Sequence, residues 1–323
     1  MRAVVVQHHG GPEVLAVVDR PDPVPGADEV LVEVAVAGVN YIDTYHRSGL
    51  YPTTPPFTPG VEGVGVVRQV GDQVDTEVKP GDRVGWVLTP GSYAEKAVLP
   101  AARVFPIPDS VDSELAAASL LQGATAHYLT NDTYQVQPGD DVLVHAAAGG
   151  MGLLLTQMVK AKGGRVIGTV STPQKEKLAL KAGADHVIRY TEVDFAEETL
   201  RLTGGRGVAV VYDGVGAATF DGSLASLRAR GMLALYGQAS GPVPAFNPSR
   251  LADGGSLFLT RPSLGHYVAT RDELLARMSD VLGMVSSGQL AVHVGERYPL
   301  ERARAAHDDL EARRTTGKQL LIP

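Results

Sequence analysis

Between a short apolar run, Val142-Leu143-Val144, and a stretch of helical length, Leu153–Lys162, stands His145-Ala146-Ala147-Ala148-Gly149-Gly150-Met151-Gly152. A strand, a glycine turn and a helix in that order form the setting in which Gly-x-Gly-x-x-Gly binds a dinucleotide. Gly149 and Gly152 take the second and third glycine positions, and Ala147 replaces the first. Small residues let the backbone approach a pyrophosphate, while the helix N-terminus supplies amide donors and a partial positive charge. The alternative is an ordinary glycine-rich turn; the strand–helix–strand context is what favours a dinucleotide.

The end of the next strand bears on which dinucleotide. In NAD binders an acidic residue there accepts hydrogen bonds from the ribose hydroxyls. Here Arg165–Val170 runs into Ser171-Thr172-Pro173-Gln174-Lys175, with no carboxylate. A carboxylate would repel a 2′-phosphate, whereas Ser171 and Lys175 can hold one. NADPH is therefore the expected cofactor. The competing reading leaves Lys175 as a solvated residue opening a helix, where the dipole slightly disfavours a cation.

Other chemistries find less support. With no cysteine in the chain, disulfides, thiolate metal sites and cysteine nucleophiles are excluded. Nine histidines are present, none in the helical two-histidine arrangement of a zinc protease, and His8-His9 has no ligand companions in sequence. A serine-hydrolase elbow is absent, since Pro262-Ser263-Leu264-Gly265 lacks the first glycine. A phosphate loop is absent too, since Gly317-Lys318 is followed by Gln319. A net charge of −7 argues against general affinity for nucleic acid or anionic membranes. Met1–His9 reads as a strand rather than a signal peptide, and no apolar run approaches the ~20 residues of a spanning helix. A soluble cytoplasmic protein is the expectation.

Positioning these residues requires two kinds of architecture. A chain of 323 residues suggests two domains. Residues 1–118 look β-rich, with valine-rich runs at Val30–Val36 and Gly63–Val70 and a turn-then-strand at Val78–Val84. One short helix, Tyr41–Ser48, leads into the proline-rich loop Tyr51–Pro59. Across residues 119–261 strands and helices alternate strictly. Val142–Val144, Arg165–Val170, Val187-Ile188, Val208–Tyr212 and Met232–Tyr236 are the expected strands. Leu153–Lys162, Gln174–Ala182, Phe195–Leu202 and Thr219–Leu227 are the expected helices, which predicts a doubly wound parallel sheet. In residues 262–323 the rhythm loosens: helix Arg271–Ser286, strand-like Ala291–Val294, helix Leu300–Arg313. The tail is expected to return to the first domain.

Several motifs in one order make a resemblance. Gly38-Val39-Asn40-Tyr41-Ile42-Asp43-Thr44-Tyr45, Arg47-Ser48-Gly49-Leu50-Tyr51-Pro52 and Pro59-Gly60-Val61-Glu62-Gly63 come first. Lys79-Pro80-Gly81-Asp82-Arg83-Val84, the alanine-rich glycine loop and Thr260-Arg261-Pro262-Ser263-Leu264 follow. Together they resemble the zinc-free quinone oxidoreductase (zeta-crystallin-like) branch of the medium-chain dehydrogenase/reductase superfamily, over essentially the whole chain. The resemblance implies an α/β fold in which a GroES-like β-rich domain is split around a Rossmann domain, and a homodimer. It implies that Asn40, Tyr41, Ile42, Asp43, Thr44, Tyr45 and Tyr51 line the nicotinamide and substrate site, with Gln122 and Thr125 nearby and Tyr128 facing the cofactor. Gly150 and Met151, beside Gly149 and Gly152, would meet the pyrophosphate. Ser171, Lys175 and Tyr190 would surround the adenosine end, and Arg313 would reach back from the C-terminal segment. Gly214, Tyr236, Gly237, Gln238, Ala239, Pro262, Ser263 and Leu264 would hold the ribose and nicotinamide. Zinc-dependent relatives carry Gly-His-Glu; Val61-Glu62 stands in its place, and Glu62 is expected to be structural, held by a backbone or arginine partner.

Without a metal, such a site must polarise its acceptor by hydrogen bonds and set it over the nicotinamide. Quinones suit this, because two-electron reduction leaves a stabilised hydroquinone anion. Tyr45 and Tyr51 are candidate donors or stacking groups and Asn40 an orienting amide; packing with a wet hydroxyl is the plainer role for both tyrosines. An enoyl or enone reductase remains the enzymatic alternative. An RNA-binding or crystallin-like structural role is the alternative of another class, with RNA disfavoured by the charge.

Overall fold

The computed structural model describes residues 1–323. Its contacts divide the chain into one unit of Met1–Ala124 with Val268–Pro323 and another of Thr125–Tyr267. The first changeover falls inside a helix, Ser113–Tyr128, that the sequence reading did not anticipate. Its Ala116, Ala117, Ala118, Leu120, Ala124, Ala126 and Tyr128 are all buried, so no polar face marks its period.

The first unit is built on a seven-stranded sheet. Its long strand Glu29–Val39 pairs antiparallel with Glu62–Val70 on one side and with both Lys96–Pro100 and the last strand, Lys318–Ile322, on the other. The C-terminal tail thus completes the sheet begun by the first segment. Alternate residues Val30, Val32 and Val34 pack with Val67, Val84, Trp86 and Leu99 into one core. A second core gathers Val4, Val6, Ala37, Val39, Tyr93, Leu300 and Leu321. Helix Tyr41–Ser48 forms where its residues predict, closed by Gly49 at φ 79°, a left-handed turn that glycine tolerates. Helix Arg271–Ser286 also forms, opened by a Thr270/Glu273 capping box.

Two differences concern the tail. The strand expected at Ala291–Val294 lies instead at Val294–Pro299, where Glu296 and Arg297 are exposed, so no apolar run betrays it. The helix expected over Leu300–Arg313 begins as a single 3₁₀ turn, Leu300–Arg302, and continues as Ala303–Glu311.

The second unit is a six-stranded, wholly parallel sheet. In spatial order its strands are His186–Arg189, Arg165–Val170, Asp141–Val144, Val208–Asp213, Leu227–Leu235 and Phe258–Thr260. Numbered along this unit that is 3-2-1-4-5-6, the doubly wound order that binds dinucleotides at the reversal between strands one and four. Leu143, Ile167, Val211 and Leu233 are fully buried, as parallel strands covered on both faces require. The fifth strand begins at Leu227, earlier than the expected Met232, across a register irregularity opposite Val208–Val210. No helix is long and apolar enough to cross a membrane.

Candidate functional site

In the second unit the glycine turn leaves the sheet at the reversal point. Ala146 takes a left-handed φ of 51°, the Ala147 N–H donates to Thr169 O at 3.0 Å, and the Gly149 N–H donates to Ala146 O at 2.9 Å. Gly149, extended at φ −76° and ψ 166°, precedes helix Gly150–Ala161. A methyl on Gly152 would sit 2.6 Å from Ala147 Cα and clash with the Ala146 carbonyl, so only glycine lets the helix lie this close. Ala147 can stand at the first glycine position because Gly168 faces it: a methyl on Gly168 would come within 2.7 Å of Ala147 Cβ. The N–H groups of Gly150, Met151 and Gly152 precede any partner inside the helix and form a ready anion site.

Beneath the turn is a buried network that sequence reasoning missed. His145 contacts Thr169 Oγ1 through Nδ1 and Ser223 Oγ through Nε2, each at 3.0 Å. Ser223 and Thr219 donate to Asp213 Oδ2 at 2.8 and 2.7 Å, and Asp213 Oδ1 accepts from the Val215 and Gly216 N–H groups at 2.7 and 3.1 Å. Burial lowers the His145 pKa, against the pull of the Asp213 charge. The network ties together the ends of the first, second and fourth strands, and so fixes where Gly214 follows. A methyl on Gly214 would meet the Tyr236 ring at 2.8 Å, and one on Gly237 would meet Gly214 O at 2.5 Å. Ala239 N–H donates to Gly214 O at 3.1 Å, so Gly214, Tyr236, Gly237 and Ala239 share one place, with Gln238 half-buried in the same loop.

Of the residues expected at the adenosine end, Ser171, Lys175 and Tyr190 lie in this unit. Thr172 caps helix Pro173–Lys181 by accepting the Lys175 N–H at 3.3 Å, which puts Lys175 in the first turn. Tyr190, 39% exposed, follows the third strand; its N–H donates to Val170 O at 3.2 Å, one residue before Ser171. Thr191 Oγ1 donates to Ser171 O at 3.2 Å. Arg189 engages Glu176 at 3.2 Å, which occupies the one carboxylate beside Lys175 in that first turn. Pro262 and Leu264 are buried and Ser263 exposed in the loop after Phe258–Thr260. Tyr128, 1% exposed, stacks on Tyr267 at 4.1 Å and 6°. Thr125 is half-buried one turn earlier. Arg313 belongs to the first unit, in a left-handed turn of φ 57° after helix Ala303–Glu311.

The first unit holds the other candidates around the start of helix Tyr41–Ser48. Asn40 stands at the N-cap and shares a capping box with Asp43. Asp43 Oδ2 accepts the Asn40 N–H at 2.8 Å. The Asn40 amide also meets a buried cluster: Lys318 Nζ and Gln122 Nε2 both donate to Asn40 Oδ1, at 2.7 and 3.4 Å, while Asn40 Nδ2 donates to Glu62 Oε1 at 3.2 Å. Lys318 also pairs directly with Glu62, whose Oε2 accepts the Leu121 N–H at 2.7 Å. The cation holding Glu62 is therefore a lysine, not the arginine of the sequence expectation; the backbone partner is present. No group of three or more His, Asp or Glu side chains is arranged to hold a metal.

A second chain of contacts runs from Asp43. Arg47 Nη1 donates to His307 Nδ1 at 3.0 Å, so His307 Nε2 carries the proton and donates to Tyr93 Oη at 3.1 Å; Tyr93 in turn donates to Asp43 Oδ2 at 3.1 Å. Glu311 holds Arg47 from the outside at 2.8 Å. Burial pushes Asp43 up to about 7, against the Asn40 N–H, the Lys318 charge and Tyr93, and burial with the Arg47 charge pushes His307 down to about 3. Tyr45 and Tyr51 lie 5.1 Å apart at 57°, Tyr41 donates to Leu310 O at 2.9 Å, Thr44 is buried, and Ile42 is half-buried. Tyr93, His307 and Asp213 carried no sequence signal, while Arg47 stood in a family motif and Lys318 after Gly317 without a role assigned to either.

The donor set fits a phosphorylated dinucleotide: unpartnered first-turn amides, glycines that admit no methyl, and a second-strand end with hydroxyls and a lysine but no carboxylate. A GroES-like domain split around a doubly wound sheet of this kind defines the medium-chain dehydrogenase/reductase class. Residues 26–109 match the family described as alcohol dehydrogenase GroES-like domain, and residues 150–279 the family described as zinc-binding dehydrogenase. A quinone oxidoreductase of Salmonella typhimurium is 46% identical over 98% of this chain and 97% of its own. A 2-haloacrylate reductase of a Burkholderia species is 40% identical over 99% and 98%. The crystal structure of Escherichia coli quinone oxidoreductase complexed with NADPH superimposes with a TM-score of 0.97 at 43% identity, covering 100% of both chains. The chain belongs to the quinone oxidoreductase family of that superfamily.

Proposed function

We propose that the protein is an NADPH-dependent, zinc-independent reductase that passes hydride to a quinone or a similarly conjugated carbonyl compound. The observation that carries this reading is the end of strand Arg165–Val170, where Ser171 and Lys175 stand without a carboxylate beside the glycine turn, in a chain of this family. The Escherichia coli relative solved with NADPH supports the same cofactor. Gly149, Gly150, Met151 and Gly152 receive the pyrophosphate; Ser171, Lys175 and Tyr190 receive the 2′-phosphate. Gly214, the Tyr236–Ala239 loop and Pro262–Leu264 hold the ribose and nicotinamide. NADPH, when bound, supplies the hydride. Asn40, Tyr45 and Tyr51 orient the acceptor, whose reduced anion takes its proton from solvent.

Zinc has no place in this reading because the donors are wrong for it: cysteine is absent, Val61 stands where a histidine would, and the Glu62 carboxylate is occupied by Lys318, Asn40 and the Leu121 N–H. A cytoplasmic homodimer completes the proposal on the strength of the family resemblance. The deciding experiment follows NADPH consumption spectrophotometrically against benzoquinones, naphthoquinones, enones and 2-haloacrylate. Turnover of quinones with NADPH in preference to NADH supports the reading. Turnover of 2-haloacrylate or enones alone would move the function to an activated double bond, which the Burkholderia relative favours. A salt-dependent RNA gel shift with no reductase activity would reject both.

A further inference from the structure

We infer that Lys318 and Glu62 are a positioning pair that locks the side-chain amide of Asn40 in one orientation, leaving one of its N–H bonds for the acceptor's oxygen. The inference rests on the proposed role of Asn40 in orienting the acceptor.

The topology brings the three together although they are far apart in sequence. Asn40 leaves the end of strand Glu29–Val39. Glu62 opens the strand on one side of it, where Gly63 pairs with Ala37, and Lys318 opens the strand on the other, where Gln319 pairs with Val39. The carboxylate and the ammonium therefore reach over the end of the central strand from opposite flanks. Gly38 gives them the room, since a methyl there would lie 2.5 Å from Glu62 Cδ. All three side chains are buried: Glu62 is 0% exposed, Lys318 1% and Asn40 4%.

The pairing is directional. Asn40 Oδ1 receives Lys318 Nζ at 2.7 Å and Gln122 Nε2 at 3.4 Å, and Nδ2 faces Glu62 Oε1 at 3.2 Å. A flipped amide would set its NH₂ against an ammonium and its oxygen against a carboxylate, so both contacts would turn repulsive. An amide nitrogen carries two hydrogens and Glu62 takes one. The capping box with Asp43 can engage only the amide oxygen, since a backbone N–H needs an acceptor, and so leaves Nδ2 to Glu62 and the acceptor. A carbonyl acceptor needs a donor, and this arrangement offers N–H while keeping the amide oxygen tied down. A buried ion pair is weak evidence for stability, which leaves specificity of geometry as its contribution.

The test separates positioning from folding. Lys318→Met alone leaves a buried unpaired carboxylate and is expected to destabilise the protein. The double variant Glu62→Gln/Lys318→Met removes both charges and is expected to recover thermal stability and to bind NADPH within twofold of wild type. If the pair positions Asn40, the stable double variant still loses 10- to 100-fold in kcat with a simple benzoquinone, with KM changed much less. Lys318→Arg, which keeps the cation, should retain more kcat than Lys318→Met. A second readout needs no turnover. The chain has three asparagines, Asn40, Asn131 and Asn247, so selective ¹⁵N-asparagine labelling gives three side-chain NH₂ pairs. Hydrogen exchange of the Asn40 pair should quicken at least tenfold in the double variant while the other two stay put. Wild-type kcat in a stable double variant, or unchanged Asn40 exchange, overturns the inference. Absence of quinone turnover in the wild type would instead sink the proposed function, and the lock would then stand or fall on the exchange rates alone.

Discussion

Replacing Lys175 by alanine isolates the 2′-phosphate from the rest of the dinucleotide. Lys175 sits in the first turn of helix Pro173–Lys181, where Thr172 Oγ1 accepts its backbone N–H at 3.3 Å. Alanine keeps that N–H and is the better helix former, so the helix keeps its cap. On the proposed assignment, what is lost is one ammonium for the dianionic 2′-phosphate. A hydrogen bond to a charged group is worth about 1.5–3 kcal/mol, which converts to roughly 10- to 100-fold in NADPH affinity at low salt. NADH, without the phosphate, should bind the variant as it binds wild type. Fluorescence titrations with both nucleotides at two ionic strengths provide the assay, and salt should shrink the NADPH preference of the wild type. Equal losses for NADPH and NADH, or no loss for either, would refute the assignment and put the phosphate elsewhere.

Gly152→Ala should weaken NADPH and NADH together by at least about tenfold, because its methyl meets backbone at 2.6 Å rather than a movable side chain; unchanged binding in calorimetry would remove this turn from the site. Elemental analysis should find no stoichiometric zinc and chelator should leave turnover intact; one tightly bound zinc per chain contradicts the donor argument. Tyr51→Phe should alter the preference among quinones more than NADPH affinity, and equal losses in both would place Tyr51 with the cofactor. His307 is pushed down to about 3 from an ordinary 6.5, so its stabilising contribution is present above about 6.5 and lost as pH falls toward 3; Asp43 is raised to about 7 from 3.8, so its contribution is present below about 3.8 and lost as pH rises toward 7. Urea midpoints between pH 4 and 7 should therefore change slope in opposite directions in His307→Gln and Asp43→Asn, and parallel profiles for both variants and wild type would refute the two assignments.

How much of this was legible in the sequence depended on distance along the chain. Helix Tyr41–Ser48, strand Arg165–Val170, helix Phe195–Leu202 and helix Arg271–Ser286 carry their own caps, periods or apolar runs, and their limits match the expectation. Helix Ser113–Tyr128 was hidden because burial all round leaves no contrast between faces. Strand Lys318–Ile322 was hidden because it is short and begins with a buried lysine, a residue the apolar pattern counts as surface. At the site, the glycine turn and the Ser171–Lys175 segment are local and readable. The partners of Glu62 are not: Leu121 and Lys318 lie 59 and 256 residues away, and only the sheet order brings them to it.

The misses have a physical pattern. Buried charged and polar side chains cost free energy unless fully partnered, so a chain retains them where something other than burial is gained. Here they cluster in two places. One is the His145–Thr169–Ser223–Asp213 network under the glycine turn, which sets the ends of three parallel strands and hence the positions of Gly149–Gly152 and Gly214. The other joins Lys318, Glu62 and Asn40 to the Asp43–Tyr93–His307–Arg47 chain at the start of helix Tyr41–Ser48. In both, the donors run in one direction, ending on carboxylates, so each side chain has a single satisfied orientation. That is the property a hydride-transfer site needs, because a small misplacement of an orienting group is expensive when proximity supplies most of the rate. The polar residues that break the apolar pattern are thus those that fix the proposed cofactor loop and the proposed acceptor amide.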